Sequence, residues 1–163
     1  MSDELTELPE GWKWTSIEAI AIYVQRGKSP KYVERSELPV INQRSIRWHG
    51  IELEYLKFIH PEQWSQWSEE RFLQIGDILW NSTGTGTIGR ATIYSGLTGY
   101  SKAVADSHVT VIRTHGHNAK LLHFWIIALI SLMWYSQHSF ARCAYHPNET
   151  LFPRLASESY RDV

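Results

Sequence analysis

The 163 residues, 43% hydrophobic and 13% aromatic, fit one domain with a real core and exclude a disordered chain. A net charge of −1 excludes bulk attraction to nucleic acid, so DNA binding would need a local cationic patch or phosphate contacts supplied by partner subunits. The single cysteine, Cys143, excludes an internal disulfide and a Cys-based zinc site; with no signal peptide ahead of Asp3 and Glu4, a cytoplasmic protein is expected.

In chain order, Leu8-Pro-Glu-Gly-Trp12 makes an entry turn, and Thr15 or Ser16 caps an amphipathic helix expected to reach about Tyr23. Gln25-Arg-Gly-Lys-Ser-Pro30 breaks it into a basic loop, with Lys31 just beyond. Leu38 to Ile41 reads as a strand, Asn42 to Ser45 as a polar loop, and Ile46 to Gly50 turns the chain toward a strand near Leu53 to Ile59. Pro61 is placed at a helix N1 position ahead of Trp64 and Trp67. Further strands are expected at Asp77 to Trp80, Gly89 to Tyr94 and His108 to Arg113. A long apolar helix from Asn118 to about His138 closes the core. Its apolar stretch, Leu121 to Tyr135, is fifteen residues and carries His123 and Ser131, short of a bilayer span of about 20 residues. The expected class is α+β: a mixed, mainly antiparallel β core with flanking helices, forming a single domain over 1–163.

The segment Gly76 to Arg90 separates two kinds of protein. Gly84, Gly86 and Gly89 satisfy G-x-G-x-x-G after an apolar strand, as a dinucleotide site requires. The next residues, Arg90-Ala-Thr-Ile-Tyr94, are β-formers stopped by Ser95-Gly96, so no helix N-terminus faces the loop; strand, glycine loop, strand is a hairpin. Walker A fails as well, because no Gly-Lys-Ser/Thr follows. A small-residue loop with hydroxyls, backbone N–H groups and a terminal Arg suits close approach to a phosphate backbone or to base edges.

Three polar loops begin where strands or helices end, and their side chains are those that pair with DNA. Arg26, Lys28, Ser29 and Lys31 form the first, Asn42, Gln43 and Arg44 the second, and Asn81, Thr83, Thr85 and Thr87 the third, with Arg90 after it. Lys and Arg suit phosphates or guanine, Asn and Gln suit adenine, and hydroxyls suit either. A polar residue in one loop more often solvates a turn; three such loops together favour recognition. Trp48 and His49 are exposed-aromatic candidates in the second loop. Catalytic signals are weak: there is no Asn/Asp-Pro-Pro-Tyr/Phe methyltransferase element and no Pro-Asp with Glu-x-Lys nuclease pattern. Asp106 and His108, two apart on an expected strand, share a face and could pair as acid and base, though hairpin hydrogen bonding accounts for them equally. His115-Gly-His117 lacks metal-ligand spacing, so no metal site and no catalytic residue is assigned.

Leu8-Pro-Glu-Gly-Trp12, Arg26-Gly-Lys-Ser-Pro30, Val40-Ile-Asn-Gln43, Gly76-Asp-Ile-Leu79 and Gly84-Thr-Gly-Thr-Ile-Gly-Arg90, in this order and spacing, resemble a target-recognition domain of a type I restriction-modification specificity subunit. The tail His146-Pro-Asn-Glu-Thr-Leu151 resembles that family's segment before its spacer helix. The resemblance implies a noncatalytic domain that reads half of a bipartite sequence in double-stranded DNA for partner methyltransferase and restriction subunits. It implies no cofactor of its own, since S-adenosylmethionine and ATP with magnesium belong to those subunits. The family's second recognition domain and spacer helices are absent before Val163, which gives the expectation of a truncated or split half-subunit, with a second half-specificity subunit as a further partner, or of one domain alone. Two alternatives stay open: a nucleotide-binding oxidoreductase using Gly84 to Gly89, and a decoy that binds methyltransferase subunits without binding DNA.

Overall fold

Side-chain alternation along two four-stranded sheets sorts the apolar residues into three buried layers. The computed structural model describes residues 13–84, 86–115, 118–133 and 143–145. The elements in chain order are β1 (Lys13–Thr15), α1 (Ile17–Ile20), β2 (Ala21–Arg26), β3 (Tyr32–Val33), β4 (Pro39–Ile41), β5 (Ile46–Arg47), β6 (Gly50–Ile51), β7 (Lys57–Ile59), β8 (Ile78–Asn81), β9 (Ala91–Ile93), β10 (Val104–Ala105), β11 (Val109–Thr114), α2 (Asn118–Met133) and β12 (Cys143–Tyr145). Short 3-10 turns cover Leu53–Tyr55, Pro61–Gln66 and Glu69–Arg71. The first sheet has the order β2-β11-β8-β9, all antiparallel. The second has the order β10-β4-β7-β3, in which β10 runs parallel to β4. Two-stranded pairs join β5 to β6 and β1 to β12.

Successive strand residues point to opposite faces, and the core follows that period. On β8, Leu79 enters the layer between the sheets while Ile78 faces α2; on β11, Val109 and Val111 enter that middle layer while Ile112 faces α2. On β4 and β10, Ile41 and Ala105 face the first sheet, and Val40 and Val104 turn to the outer layer with Leu38, Ile59 and Trp67. Pro61 stands in the first turn of a 3-10 helix, as its fixed φ and missing N–H allow, and this helix carries Trp64 against the outer layer.

Four expectations are corrected. Ser16 is an N-cap, its hydroxyl accepting from Ala19 N–H at 3.3 Å, but the helix ends after one turn at Ile20 and the chain continues as β2. The run Ile20-Ala-Ile-Tyr-Val24 is rich in β-formers, and pairing with β11 outweighs the weak helical pattern. Leu53 to Tyr55 is a 3-10 turn rather than strand, and only Lys57–Ile59 pairs. Among the described residues the long apolar helix is not found: α2 spans Asn118–Met133, its expected end near His138 lies outside them, and its described side chains bury Leu122, Trp125 and Ile126 while Lys120 and Phe124 face outward. Finally, Asp106 and His108 lie in the turn before β11, not on it. Among the described residues no helix is long and apolar enough to cross a membrane.

One ion pair ties the lower ends of the first sheet together. Asp77 is fully buried and accepts from Arg113 Nε and Nη2, both at 2.7 Å; the same Nη2 also donates to the Phe72 carbonyl at 3.1 Å. Gln74 N–H donates to Asp77 Oδ2 at 2.8 Å, and the guanidinium lies 5.0 Å from the Tyr23 ring. The hydrogen bond to Asp77 raises the Arg113 pKa, so the cation is permanent. Asp77→Ala strands that cation and should cost about 3–5 kcal/mol in urea unfolding, whereas Asp77→Ala combined with Arg113→Met should recover most of the loss. A double variant no more stable than Asp77→Ala would refute this.

Candidate nucleic-acid interface

All three polar loops leave the same end of the molecule, and strand register explains why. In the first sheet Arg26 stands opposite Thr110, Asn81 opposite Val109 and Trp80 opposite Ala91. The last residues of β2 and β8 and the first of β9 and β11 therefore share one edge. In the second sheet Ala105 stands opposite Ile41 in a parallel pair, so the chain leaves β4 and β10 in the same direction. Residues 106–108 connect β10 in one sheet to β11 in the other, which holds the two loop-bearing edges side by side.

Asn81 locks the second loop to the third. Its side chain is fully buried, and Nδ2 donates to the Gln43 carbonyl at 2.9 Å and to the Thr87 carbonyl at 3.1 Å. Thr87 Oγ1 donates to Gln43 Oε1 at 3.0 Å, closing the same junction from the other side. Gly84 has φ +113°, and a Cβ there would run into the Gln43 side chain, so both conformation and space demand glycine. The loop closes on itself through Ile88 N–H to the Gly84 carbonyl at 3.0 Å and Gly89 N–H to the Asn81 carbonyl at 2.9 Å.

The first loop is fixed to the 106–108 turn. Arg26 Nε and Nη2 donate to the Ser107 carbonyl at 3.0 and 2.6 Å, and Nη2 also reaches Thr83 Oγ1 at 3.4 Å. Ser29 and Ser107 share a hydroxyl bond of 2.7 Å. A Cβ on Gly27 would land on the Ala105 and Asp106 carbonyls, so the loop passes this turn at backbone distance. Lys28 and Lys31 are exposed; the Lys28 ammonium lies 5.9 Å from the Trp67 ring centre. In the second loop Arg44 is exposed, its guanidinium 5.0 Å from the Tyr55 ring. The β5-β6 hairpin beside it presents Trp48, 52% exposed, and His49, while Arg47 is neutralised by Glu52 at 2.8 Å. Arg90 is half-buried under the glycine loop, with Nη2 3.5 Å from the Gly86 carbonyl.

Two of the expected base readers lie elsewhere than at the surface. Asn42 is 8% exposed, its Nδ2 donating to the Tyr55 carbonyl at 2.5 Å and its Oδ1 accepting from Arg44 N–H at 2.8 Å, an Asx turn that shapes the loop. Asn81 is likewise a brace. Gln43 spends its side-chain oxygen on Thr87, leaving Arg44, Thr83 and the cations as the outward groups. Thr85 lies outside the described residues, as do Leu8 to Trp12, His117 and the tail from His146 to Leu151. The sequence reading did not assign Tyr32, Asp106, Ser107 and His108 to this face. The Asp-x-His spacing of an Asx turn is the signal that could have placed them in a loop.

The glycine loop joins β8 to β9 as a hairpin, so no helix begins there to face a pyrophosphate, which removes the geometric basis of the nucleotide-binding alternative. If Asn81 is the clasp, Asn81→Ala should lower stability by about 1–3 kcal/mol, and Asn81→Asp by more, because an acceptor would then face two carbonyls. Thermal unfolding measures both, and an Asn81→Asp chain as stable as the wild type would contradict the clasp.

No protein-family model matches the chain, and no curated protein matches it. Solved structures do. A chain from a structure describing complex assembly and conformational transition of the type I R-M system superposes with a TM-score of 0.64 at 13% identity, covering 90% of this chain and 37% of that one. The HsdS subunit from Thermoanaerobacter tengcongensis superposes with a TM-score of 0.64 at 14% identity, covering 88% of this chain and 35% of the subunit. The chain thus spans little more than a third of the length of each, and what it shares with them is the fold of one part.

Proposed function

We propose that the chain is a sequence-specific DNA-recognition domain of a type I restriction-modification specificity subunit, reading one half of a bipartite target in double-stranded DNA. The observation that carries this reading is the convergence of the 26–31, 42–48, 82–90 and 106–108 segments on one end of two sheets, in a fold like that of an HsdS subunit. Exposed cations there supply the local patch that a net charge of −1 denies the chain as a whole. Residues 1–163 act as one recognition domain in the cytoplasm. The chain is noncatalytic and takes no cofactor; methylation and cleavage belong to methyltransferase and restriction subunits that it directs, with a second half-specificity subunit reading the other half-site. Loops held by buried amides and glycines are suited to this, because base readout requires side chains fixed relative to the groove.

Arg26, Lys28, Lys31 and Arg90 hold phosphates, while Arg44 and Thr83 face bases, with Ser29, Thr85 and Thr87 as weaker hydroxyl contacts and Asn42, Gln43 and Asn81 as braces. Single Ala substitutions of the four phosphate cations should weaken cognate and scrambled duplexes alike and reduce the salt slope by about one unit per contact. Arg44→Ala should instead cost about 1–3 kcal/mol on the cognate duplex alone. Titrations at several salt concentrations, with the methyltransferase subunits present, separate the two effects. A salt slope untouched by all four substitutions would remove the DNA assignment; binding to those subunits with no DNA affinity would indicate a decoy.

A further inference from the structure

We propose that His108 reads a base on this face, with Asp106 and Tyr32 as its positioning residues, and that it recognises the exocyclic amino group of adenine or cytosine in the major groove. This inference rests on the DNA-recognition reading above. Asp106 is 7% exposed and is held from three directions. Its Oδ1 accepts from His108 N–H at 2.8 Å and pairs with His108 Nδ1 at 2.9 Å, and its Oδ2 accepts the Tyr32 hydroxyl. Burial, and then the bond to Asp106, raise the Tyr32 pKa above its ordinary value, so the phenol stays a donor. The turn itself is closed by Val109 N–H to the Asp106 carbonyl at 2.9 Å, and Arg26 and Ser29 fix Ser107 between the two residues.

A carboxylate only accepts, so the ring nitrogen facing Asp106 carries the hydrogen, and Nε2 of the neutral ring is left as an acceptor. The His108 side chain is 45% exposed, and its Nε2 is bonded to none of the described residues. The contrast with Asn42 and Asn81 is direct, since their amides are buried and largely spent on backbone groups. A fixed acceptor at a groove-facing turn accepts from adenine N6 or cytosine N4 and is repelled by guanine O6 and thymine O4.

The test is selection from a randomised duplex library at pH 8, using the full chain and the variants His108→Leu, His108→Gln and Tyr32→Phe. The wild type should restrict one position to adenine or cytosine by about tenfold. His108→Leu should flatten that position and spare the others. His108→Gln, whose amide both accepts and donates, should shift it toward adenine, and decides the matter if His108→Leu does not fold. Tyr32→Phe should weaken the same position partially. Preferences unchanged in His108→Leu, or in His108→Gln if only that variant folds, would overturn the role of His108 while leaving the DNA reading standing. A uniform loss over all positions would make His108 a phosphate contact and overturn base reading. A wild-type chain that enriches no sequence would overturn the underlying reading, and His108 with it.

Discussion

The buried amide of Asn81 is the constraint on which the arrangement of the loop face depends. It sits where the apolar layer between the two sheets ends, one residue beyond Trp80 and two beyond Leu79, and donates to carbonyls from two different loops. An apolar group in that position would leave the Gln43 carbonyl without its amide donor and the Thr87 carbonyl with only the Arg90 N–H at 3.3 Å. The clasp ties the described residues of the glycine loop to the second loop. Gly84 gives the chain room to pass Gln43, Thr87 returns to bond it, and Gly89 closes the hairpin on Asn81 itself.

The second joint of the face is the turn from Asp106 to Val109. Because it links a strand of each sheet, every contact it makes also sets one sheet relative to the other. Arg26 caps the Ser107 carbonyl, Tyr32 caps the Asp106 carboxylate, and Gly27 lets the basic loop lie against the backbone of Ala105 and Asp106. Cations and hydroxyls on four segments thus rest on rigid elements. Under the proposed DNA-recognition reading, a surface that meets a groove in one register is held in this way.

Much of this was legible in the sequence, and the failures have physical reasons. The β8-β9 hairpin followed from β-formers on both sides of the glycines, and the cations of the first loop from their position after an apolar run. The helix expected after Ser16 failed because local periodicity over so few residues is weaker than a six-residue pairing with β11, which is remote in sequence. Asn42 and Asn81 carried the right chemistry for adenine, but only tertiary contacts reveal that their amides are consumed internally. The parallel pairing of β10 with β4, which brings the 106–108 turn to the face, joins residues more than sixty apart and has no local signal. The hairpin of β5 and β6 was likewise not expected: Ile46 to Gly50 reads as a turn, whereas Ile46–Arg47 and Gly50–Ile51 pair across Trp48 and His49.

Hydrogen exchange of the chain with and without duplex DNA, in the presence of methyltransferase subunits, tests the placement of the interface most directly. Protection should appear in the backbone amides of 26–31, 42–48, 82–90 and 106–108 together, with little change at the opposite end around Gln74 to Gly76 and Ser95 to Ser101. Protection confined to that opposite end, or no DNA-dependent protection anywhere, would contradict the account.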